Sequence, residues 1–462
     1  MSDASNPFPR DRYRNVEGIL RVVRDNLCHR CGACVGVCPV GTFGMDRDGY
    51  PIQVAPCINC NICVQSCSGL EVDYDAIGSS LFGPEYRYGE LLGTIRRACI
   101  GYAAEPEIRQ RGASGGVVTQ LLVHLLETGK IRGALVAAED PEQPARGRGL
   151  IARTREQLLS AAQSRYTTTP SLHALYDIRE EEGPFAMVGL PCQIHSLRKR
   201  QMVDPRWKTR VPIAIGLVCH YNLPMDSSKL AAALMTPEGA EVVHAQFREK
   251  SETGWPHNTL EMTFSNGTKW RSPHGPKETF NIMAMVSSLG RCLTCLDAGA
   301  EFSDLTVGDP WIRSPDGNWK YEEAEGLSAV MIRTQRGMGV VDGAVAAGKL
   351  VLRDIPVEDV HDAWDGIARD KKIRVGLRMK AKRLTGQSVP HYQVPFPSPD
   401  SKLVREELVF WMLRGIPVFR PLRKLMVRFW FSRAGVSLMR RILQRKKRRA
   451  ARKTEGPEDG RP

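Results

Sequence analysis

The sequence predicts a mixed α+β and α/β fold in three parts: a small cysteine-rich domain, an α/β body and a basic helical tail. Three observations support this prediction. Eight of the 13 cysteines lie between residues 28 and 67. From about residue 95 to 365, apolar runs rich in β-branched residues alternate with helical patterns, as is typical of a sheet covered by helices. Residues 401–453 contain 17 Lys or Arg and two acids.

Composition sets limits on size and environment. The chain has 462 residues, 42% of them apolar, which is enough for substantial cores in two or three domains. Its net charge of +14 belongs to the C-terminal region, because residues 1–400 are nearly neutral. The N-terminus lacks the apolar stretch and cleavage site of a signal peptide, so we expect a cytoplasmic protein. In a reducing cytoplasm, clustered cysteines bind metal or do redox work more often than they form disulfides.

The N-terminal region begins with a polar arm, residues 1–27, in which VEGILRVV predicts a short helix. Residues 28–75 then carry the motif CxxCxxCxxxC twice. This is the spacing of bacterial ferredoxins, in which three close cysteines bind one [4Fe–4S] cluster and the fourth reaches across to the other. It predicts a dicluster ferredoxin domain with one cluster on Cys28, Cys31, Cys34 and Cys67, and a second on Cys57, Cys60, Cys63 and Cys38.

Zinc is the alternative for these cysteines, since CxxC pairs also bind it. Structural zinc sites usually take four ligands from two CxxC pairs, and the duplicated motif does not follow that pattern. Small residues inside the first motif, such as Gly32 and Gly36, would let backbone amides approach the sulfurs, where hydrogen bonds tune a cluster. The sequence therefore favours iron–sulfur clusters.

Four scattered cysteines of the body predict a third cluster. Cys192 follows the predicted strand FAMVGL, and Cys219 ends the apolar run PIAIGLVC. Carboxyl ends of neighbouring parallel strands meet at one edge of a sheet. Cys292 and Cys295 form a CxxC, so these four cysteines could bind one [4Fe–4S] cluster, with Cys99 left over. The alternative is that each is an ordinary buried cysteine.

Five short segments of the body then occur in a characteristic order: RGASGGVVT at 111–119, SRY at 164–166, VGLPCQ at 188–193, CLTC at 292–295 and DLTVGDPW at 304–311. Together with the paired cluster motifs, they resemble the beta-subunit family of coenzyme F420 hydrogenase and related F420-dependent dehydrogenases. Members of that family are iron–sulfur flavoproteins. The resemblance implies that residues 95–365 form a body that binds FAD and the third cluster, and exchanges hydride with coenzyme F420 or another two-electron partner.

The FAD contacts that the resemblance implies lie in two of these segments. A helix N-terminus offers free amides and a positive dipole to a phosphate, as the start of VVTQLLVHLLETGK would. No catalytic residue is predicted, because in such enzymes the cofactor performs the bond chemistry. The expected FAD contacts are Ser114, Gly115, Gly116, Thr119, Ser164, Arg165 and Tyr166.

Other side chains are weaker candidates. His195, His220 and Tyr221 lie next to third-cluster ligands and could relay protons, although packing roles are commoner for such residues. A basic run before the CxxC could face an anionic hydride carrier, although such runs are usually solvated surface. It comprises Lys269, Arg271, His274 and Lys277. The expected electron partner is ferredoxin or another oxidoreductase subunit, and the alternative function is a non-catalytic electron-transfer subunit that docks to a partner oxidoreductase or membrane complex.

The C-terminal region starts with a proline-rich segment, residues 391–400, which predicts a linker. In the basic amphipathic tail, residues 401–462, Pro417 and Pro421 predict a break between two helices. Arginines interrupt every long apolar run, so a membrane span is not expected. Large aromatics beside cations favour peripheral contact of residues 403–453 with the inner face of a membrane, ahead of a partner groove and of nucleic acid.

Overall fold

The structure is a computed structural model that describes residues 13–224, 235–250, 254–286, 290–314, 318–398, 400–415 and 420–454. The predicted N-terminal arm is helical from residue 15, and its first twelve residues lie outside the described ranges. The N-terminal region contains helices Asn15–Arg24, Ala33–Gly36, Ile62–Gln65 and Tyr74–Phe82, and strands Phe43–Met45, Pro51–Gln53 and Glu71–Val72.

The two cysteine motifs fold alike. Helix Ala33–Gly36 begins after Gly32, whose φ is 81°, and helix Ile62–Gln65 begins after Asn61, whose φ is 64°. Each left-handed residue turns the chain sharply after the first two cysteines of its motif. The N-terminal region therefore has the fold of a ferredoxin-like domain in which each motif wraps around its own cavity.

An eight-stranded mixed sheet forms the centre of the body. The fourth to seventh strands in spatial order are parallel, and antiparallel strands complete the sheet on both sides. In spatial order the strands are Leu350–Asp354, Arg97–Ala103, Ser328–Ile332, Leu305–Gly308, Ile213–Leu217, Ala186–Gly189, Ala134–Asp140 and Gln143–Ala152. A second, antiparallel sheet consists of strands Lys269–Arg271, Thr259–Phe264 and Val242–Glu249.

Helices surround these sheets. Apolar faces of the helices and of the central sheet form two separate cores, one on each side of the sheet. The body helices are Pro106–Arg111, Val117–Glu127, Arg155–Ser160, Pro191–Val203, Arg206–Arg210, Pro276–Val286, Gln335–Ala346, Val357–Arg369 and Val375–Leu384, with tighter or wider turns at Ser171–Tyr176, Gly290–Thr294 and Asp370–Arg374.

The ferredoxin-like domain shares a core with the body. Ile19 and Val37 of the domain are buried in the same cluster as Leu172 and Phe302 of the body. A Cβ at Gly36 would lie 2.0 Å from the Leu172 carbonyl oxygen, so only glycine permits this contact. The two parts are therefore packed together through apolar side chains and through backbone in close contact.

The proline-rich segment 391–400 begins as a strand. Residues His391–Tyr392 pair in parallel with Glu71–Val72, and Tyr392 is buried. Its hydroxyl donates to the Thr294 carbonyl at 2.8 Å. The start of the predicted linker is thus fixed against the ferredoxin-like domain, because a backbone edge and a buried aromatic ring hold it there.

The tail contains three helices where the prolines predicted two: Ser401–Gly415, Arg420–Phe431 and Arg433–Thr454. Pro417 lies outside the described residues, and Pro421 sits in the first turn of its helix, where a missing N–H is tolerated. The additional break falls at Ser432, whose hydroxyl accepts from the Gly435 amide at 3.3 Å and starts the last helix. In the described residues, no helix combines the length and apolar character needed to cross a membrane.

Candidate functional site

One cavity of the ferredoxin-like domain is lined by cysteines from both motifs. Cys28, Cys31 and Cys34 come from the first motif, and Cys67 comes from the end of the second. The Arg30 amide donates to Cys28 Sγ at 3.3 Å. The structure thus brings together the four cysteines predicted for the first cluster.

A second cavity is lined by Cys38, Cys57, Cys60 and Cys63. Amides approach its sulfurs as well, since the Thr42 amide donates to Cys38 Sγ and the Asn59 amide to Cys57 Sγ, each at 3.3 Å. Cys60 is exposed. These four cysteines are those predicted for the second cluster, and Cys60 is the member of the set that reaches solvent.

Burial makes the free thiols of the first cavity hard to ionise. It raises the pKa of Cys28 to about 12 and that of Cys31 to about 11, because desolvation disfavours the thiolate. Iron binds thiolate and supplies the compensating positive charge, so buried convergent thiols fit a cluster. Among the described residues, no three His, Cys, Asp or Glu side chains converge on a point suited to a single metal ion. A cubane does not require such convergence, because each thiolate binds a different iron.

The third set of cysteines lies at the carboxyl edge of the central sheet. Strands Ala186–Gly189 and Ile213–Leu217 are parallel neighbours, so Cys192 and Cys219 follow adjacent strand ends. Burial raises the pKa of Cys192 well above its ordinary value, and the nearby thiolates of Cys31, Cys219, Cys292 and Cys295 raise it further. The structure therefore brings the four predicted cysteines together, and places them beside the first cluster set.

Polar side chains next to the third set are occupied by specific partners. His195 Nε2 lies 2.9 Å from Asp297 Oδ2, and His220 Nε2 lies 3.1 Å from Asp370 Oδ2. The Lys371 ammonium, which is almost fully buried, donates to the Cys292 carbonyl at 2.7 Å. The histidines considered as proton relays thus have structural hydrogen bonds, and Lys371 is a buried positive charge that sequence reasoning missed.

A short polar bridge joins the first and third sets. Helix Pro191–Val203 starts at the third set and carries Ser196, whose hydroxyl donates to Ser68 Oγ at 3.0 Å. The Lys199 ammonium of the same helix donates to the Cys67 carbonyl at 2.9 Å. From the opposite side, the buried Arg291 donates to the carbonyls of Ser68 and Gly69 at 3.1 and 2.9 Å. These contacts fix the spacing between the two sets of cysteines.

The segment SGG precedes a helix, as predicted, but its polar groups face inward. Gly116 has a φ of 77°, and the helix Val117–Glu127 begins after it. The Gly115 amide donates to Ser328 Oγ at 3.0 Å, and Ser114 Oγ lies 2.9 Å from the same oxygen. A Cβ at Gly115 would lie 2.5 Å from the Gly101 carbonyl oxygen, so this glycine serves internal packing. The Gly115 amide therefore has an internal hydrogen-bond partner.

Lys250 holds the SGG segment in place. Its ammonium donates to the Ser114 carbonyl at 2.6 Å and to the Glu325 carbonyl at 2.7 Å. It also donates to the Arg109 carbonyl. Asn258 Nδ2 adds a bond to the Ala113 carbonyl at 2.9 Å. Lys250 directly follows one strand of the small antiparallel sheet and Asn258 directly precedes the next, and no local motif of the sequence indicated them.

Arg165 of the segment SRY is buried and only partly paired. Its side chain is 4% exposed, and its Nη2 lies 3.6 Å from Glu139 Oε2. Its Nε and Nη1 atoms are buried and have no hydrogen-bond partner among the residues that the structure describes. Burial lowers the pKa of Arg165, because desolvation disfavours its charge. A buried guanidinium with two free donors is suited to an anion.

The residues around Arg165 link the two segments. The Tyr166 hydroxyl accepts from Arg248 Nη1 at 3.2 Å, and Arg248 pairs with both oxygens of Asp309 at 2.8 and 2.9 Å. Gln163 donates to the Arg111 carbonyl at 2.9 Å, next to the SGG segment. Ser164 and Thr119 are partly buried. The two segments predicted to bind FAD therefore lie close together on one side of the small sheet.

The basic run before the CxxC is not a free cationic surface. Lys269 and Arg271 both pair with Glu261 of the neighbouring strand, at 2.8 and 2.5 Å. His274 Nε2 lies 2.8 Å from the Trp430 carbonyl in the tail. Three of its four members thus have structural partners, which an anionic hydride carrier would have to displace, whereas Lys277 is exposed.

Comparison with known proteins places this arrangement in a family. Residues 98–176 match the N-terminal model of the coenzyme F420 hydrogenase/dehydrogenase beta subunit, and residues 183–358 match its C-terminal model. The two together cover more than half of the chain. Residues 13–72 match a 4Fe–4S dicluster domain.

Individual relatives agree with this match. The chain is 28% identical over 335 residues to a coenzyme F420-dependent sulfite reductase of Methanocaldococcus jannaschii, covering 68% of this chain but 46% of that protein. It is 26% identical over 300 residues to the coenzyme F420 hydrogenase subunit beta of Methanosarcina barkeri, covering 63% of this chain and 91% of that subunit.

A solved structure agrees in fold. It is a chain of the F420-reducing [NiFe] hydrogenase complex from Methanosarcina barkeri, with a TM-score of 0.50 and 21% identity, and the match covers 66% of this chain and 98% of that one. The relatives are oxidoreductases or their subunits, and the N-terminal domain is of the type that carries 4Fe–4S clusters. The chain therefore belongs to the coenzyme F420 hydrogenase/dehydrogenase beta-subunit family and is an iron–sulfur electron-transfer member of it.

Proposed function

We propose that the protein is an oxidoreductase with three [4Fe–4S] clusters and FAD, which connects a one-electron partner to a two-electron hydride carrier such as coenzyme F420. When bound, the clusters carry single electrons and FAD exchanges electrons in pairs with a hydride carrier. The observation that carries the proposal is the row of three cysteine sets, from the exposed Cys60 to the buried Cys292.

The row has a direction set by burial. The set with Cys60 reaches solvent, the set with Cys31 lies behind it, and the set with Cys192 adjoins Cys31 at the edge of the central sheet. Ser196, Lys199 and Arg291 hold the middle and inner sets at a fixed separation through bonds to residues 67–69. Fixed spacing suits electron transfer, which needs short, constant distances between centres.

The outer set has an apolar border. Four large apolar side chains around it are 42–61% exposed: Val40, Ile52, Val54 and Ile58. Residues 49–70 contain no charged side chain. Exposed apolar groups gathered around a redox site indicate a docking surface. We propose that the electron partner, a ferredoxin or another oxidoreductase subunit, docks here.

The proposed FAD site is the region between the SGG and SRY segments. Arg165 would bind the pyrophosphate with its two free donors, and the helix Val117–Glu127 would direct its N-terminal amides at the same group. Further contacts to FAD would come from Ser114, Gly116, Thr119, Ser164 and Tyr166. The match to the N-terminal beta-subunit model, which includes both segments, supports this placement.

The alternative is a non-catalytic electron-transfer subunit that docks to a partner oxidoreductase. The names of several relatives, which are hydrogenase or dehydrogenase subunits, favour this reading. Both functions share the clusters and the cytoplasmic setting that we propose. They differ in whether the isolated chain exchanges hydride.

Mixing the purified anaerobic protein with reduced coenzyme F420, NADPH, NADH or reduced ferredoxin tests the proposal. Bleaching of a bound flavin by one of the hydride donors, together with bleaching of the clusters, is the expected result. Stoichiometric flavin that only reduced ferredoxin bleaches would support the alternative. Protein that retains its iron but binds no FAD would refute the proposal.

A further inference from the structure

The tail helix Arg420–Phe431 has two different faces. On one face Val427 is 2% exposed, and the ring of Phe431 lies 5.6 Å from that of Trp270. His274 Nε2 lies 2.8 Å from the Trp430 carbonyl oxygen. This face is therefore fixed to the small sheet and holds the helix against the body.

The opposite face of this helix is apolar and open to solvent. Leu422, Leu425, Met426 and Phe429 are 38–58% exposed. Their spacing of three and four residues places them on one stripe of the helix. A contiguous apolar stripe on a surface indicates a contact with another apolar phase or molecule.

The last helix, Arg433–Thr454, continues this pattern with added charge. Leu438 and Leu443 are each 41% exposed. Exposed arginines border them and the preceding stripe, and in the described part of the tail none of these arginines has a carboxylate partner. They are Arg428, Arg433, Arg440, Arg441 and Arg445.

The acids of the tail are used elsewhere. Residues 401–453 contain Glu406 and Glu407 and no other acid. Glu406 pairs with Arg374 at 2.6 Å, and the buried Glu407 pairs with Arg378 at 2.9 Å. Both pairs attach the first tail helix to the body. The two helices that follow therefore have positive charge without internal compensation.

We propose that these two helices bind the surface of an anionic phospholipid membrane. The stripe of Leu422, Leu425, Met426 and Phe429 inserts at the level of the acyl chains, and the arginines contact the lipid phosphates. Nucleic acid would attract the arginines through its phosphates, but it offers no apolar surface for the aliphatic stripe to contact. The inference does not depend on the redox function, because it rests only on the tail.

Sedimentation with vesicles tests it on the full-length protein. The probes are vesicles of phosphatidylcholine alone, and of three parts phosphatidylcholine to one part phosphatidylglycerol. We expect the protein to sediment with the anionic vesicles, to stay in solution with the neutral ones, and to be released by high salt. Each basic residue near the surface strengthens partitioning about fivefold.

Two variants separate the contributions. Leu425→Glu with Phe429→Glu should abolish sedimentation, and replacing Arg440, Arg441 and Arg445 with Gln should weaken it about 100-fold. Val351→Glu is the matched control, since Val351 is 47% exposed on a strand of the central sheet, and should bind as the wild type does. Unchanged iron content and circular dichroism show that the variants are folded.

Several outcomes would overturn the proposal. One is wild-type protein that stays in solution with anionic vesicles at low salt, and another is a triple arginine variant that sediments as the wild type does. Tighter binding to duplex DNA than to anionic vesicles at the same ionic strength would show that the cations serve nucleic acid. Vesicle binding is measured without any redox assay, so its failure leaves the proposed function untouched.

Discussion

The buried Arg165 allows flavin binding to be separated from structural stability. Replacing it with methionine removes a guanidinium whose Nε and Nη1 are buried without partners and whose carboxylate contact is long, at 3.6 Å. Each buried donor left unbonded costs about 1–3 kcal/mol. Glu139 keeps His244 Nδ1 at 2.9 Å after the substitution. In the flavin-free protein, Arg165→Met should therefore lower the free energy of unfolding by less than about 1 kcal/mol, or raise it.

The same substitution should act strongly on flavin affinity. A charge-assisted hydrogen bond contributes about 1.5–3 kcal/mol, so losing two weakens FAD binding by at least about 100-fold. Urea unfolding of the flavin-free protein measures the first effect, and a fluorescence titration with FAD measures the second. The two effects should differ in size by more than about 2 kcal/mol if Arg165 exists to bind the anion.

Arg198 is the matched control. Its side chain is also 4% exposed, but it is fully bonded, to the Phe302 carbonyl at 2.8 Å and to Asp304 at 3.0 Å. Arg198→Met should lower the free energy of unfolding by about 3–5 kcal/mol, because it leaves a buried carboxylate without its partner. The reasoning is refuted if Arg165→Met binds FAD as tightly as the wild type and loses as much stability as Arg198→Met.

Two further predictions concern the buried ion pairs and the outer cysteine set. Arg378→Met removes the buried guanidinium that pairs with both Asp370 and Glu407. Asp370 keeps its contact with His220 and Glu407 keeps its contact with Arg374, so the free energy of unfolding should fall by about 3 kcal/mol at neutral pH in urea titrations. Burial alone would raise the pKa of Asp370, but its hydrogen bonds lower the pKa below its ordinary value. The ionised carboxylate therefore stabilises the fold above about pH 4, and the difference in unfolding free energy between wild type and variant should shrink below that pH. Ile58→Asp should slow reduction of the clusters by reduced ferredoxin about tenfold in stopped-flow measurements, because it places a charge in the apolar docking border. Val351→Asp, far from that border, should leave the rate unchanged, and equal slowing by both variants would contradict the docking surface.

Short-range sequence patterns predicted the parts of the site that depend on local geometry. The spacing of Cys28 to Cys38 and of Cys57 to Cys67 determines two tight turns, and the structure forms both. The proximity of Cys192 to Cys219 followed from two adjacent parallel strands. Within each N-terminal motif the chain within a few residues decides where the sulfurs lie, whereas the proximity of Cys192 to Cys219 also requires that two strands pair.

Long-range partners could not be predicted in the same way. Glu261 pairs with Lys269 and Arg271 only because their two strands pair, and that pairing is not visible in the basic run itself. The Gly115 amide donates to the hydroxyl of Ser328, which lies on a strand more than 200 residues away along the chain. Lys250 has no motif of its own. These contacts depend on the register of the sheets, which composition and periodicity do not specify.

The iron and acid-labile sulfide content of the anaerobically purified protein tests the three-cluster row most directly. Because each cubane contains four irons, the wild type should contain about twelve irons per chain, and Cys292→Ala should contain about eight. The two outer sets should remain intact in the variant and be detectable by electron paramagnetic resonance after reduction. About eight irons in the wild type, or the same iron content in both proteins, would contradict a cluster at the inner set.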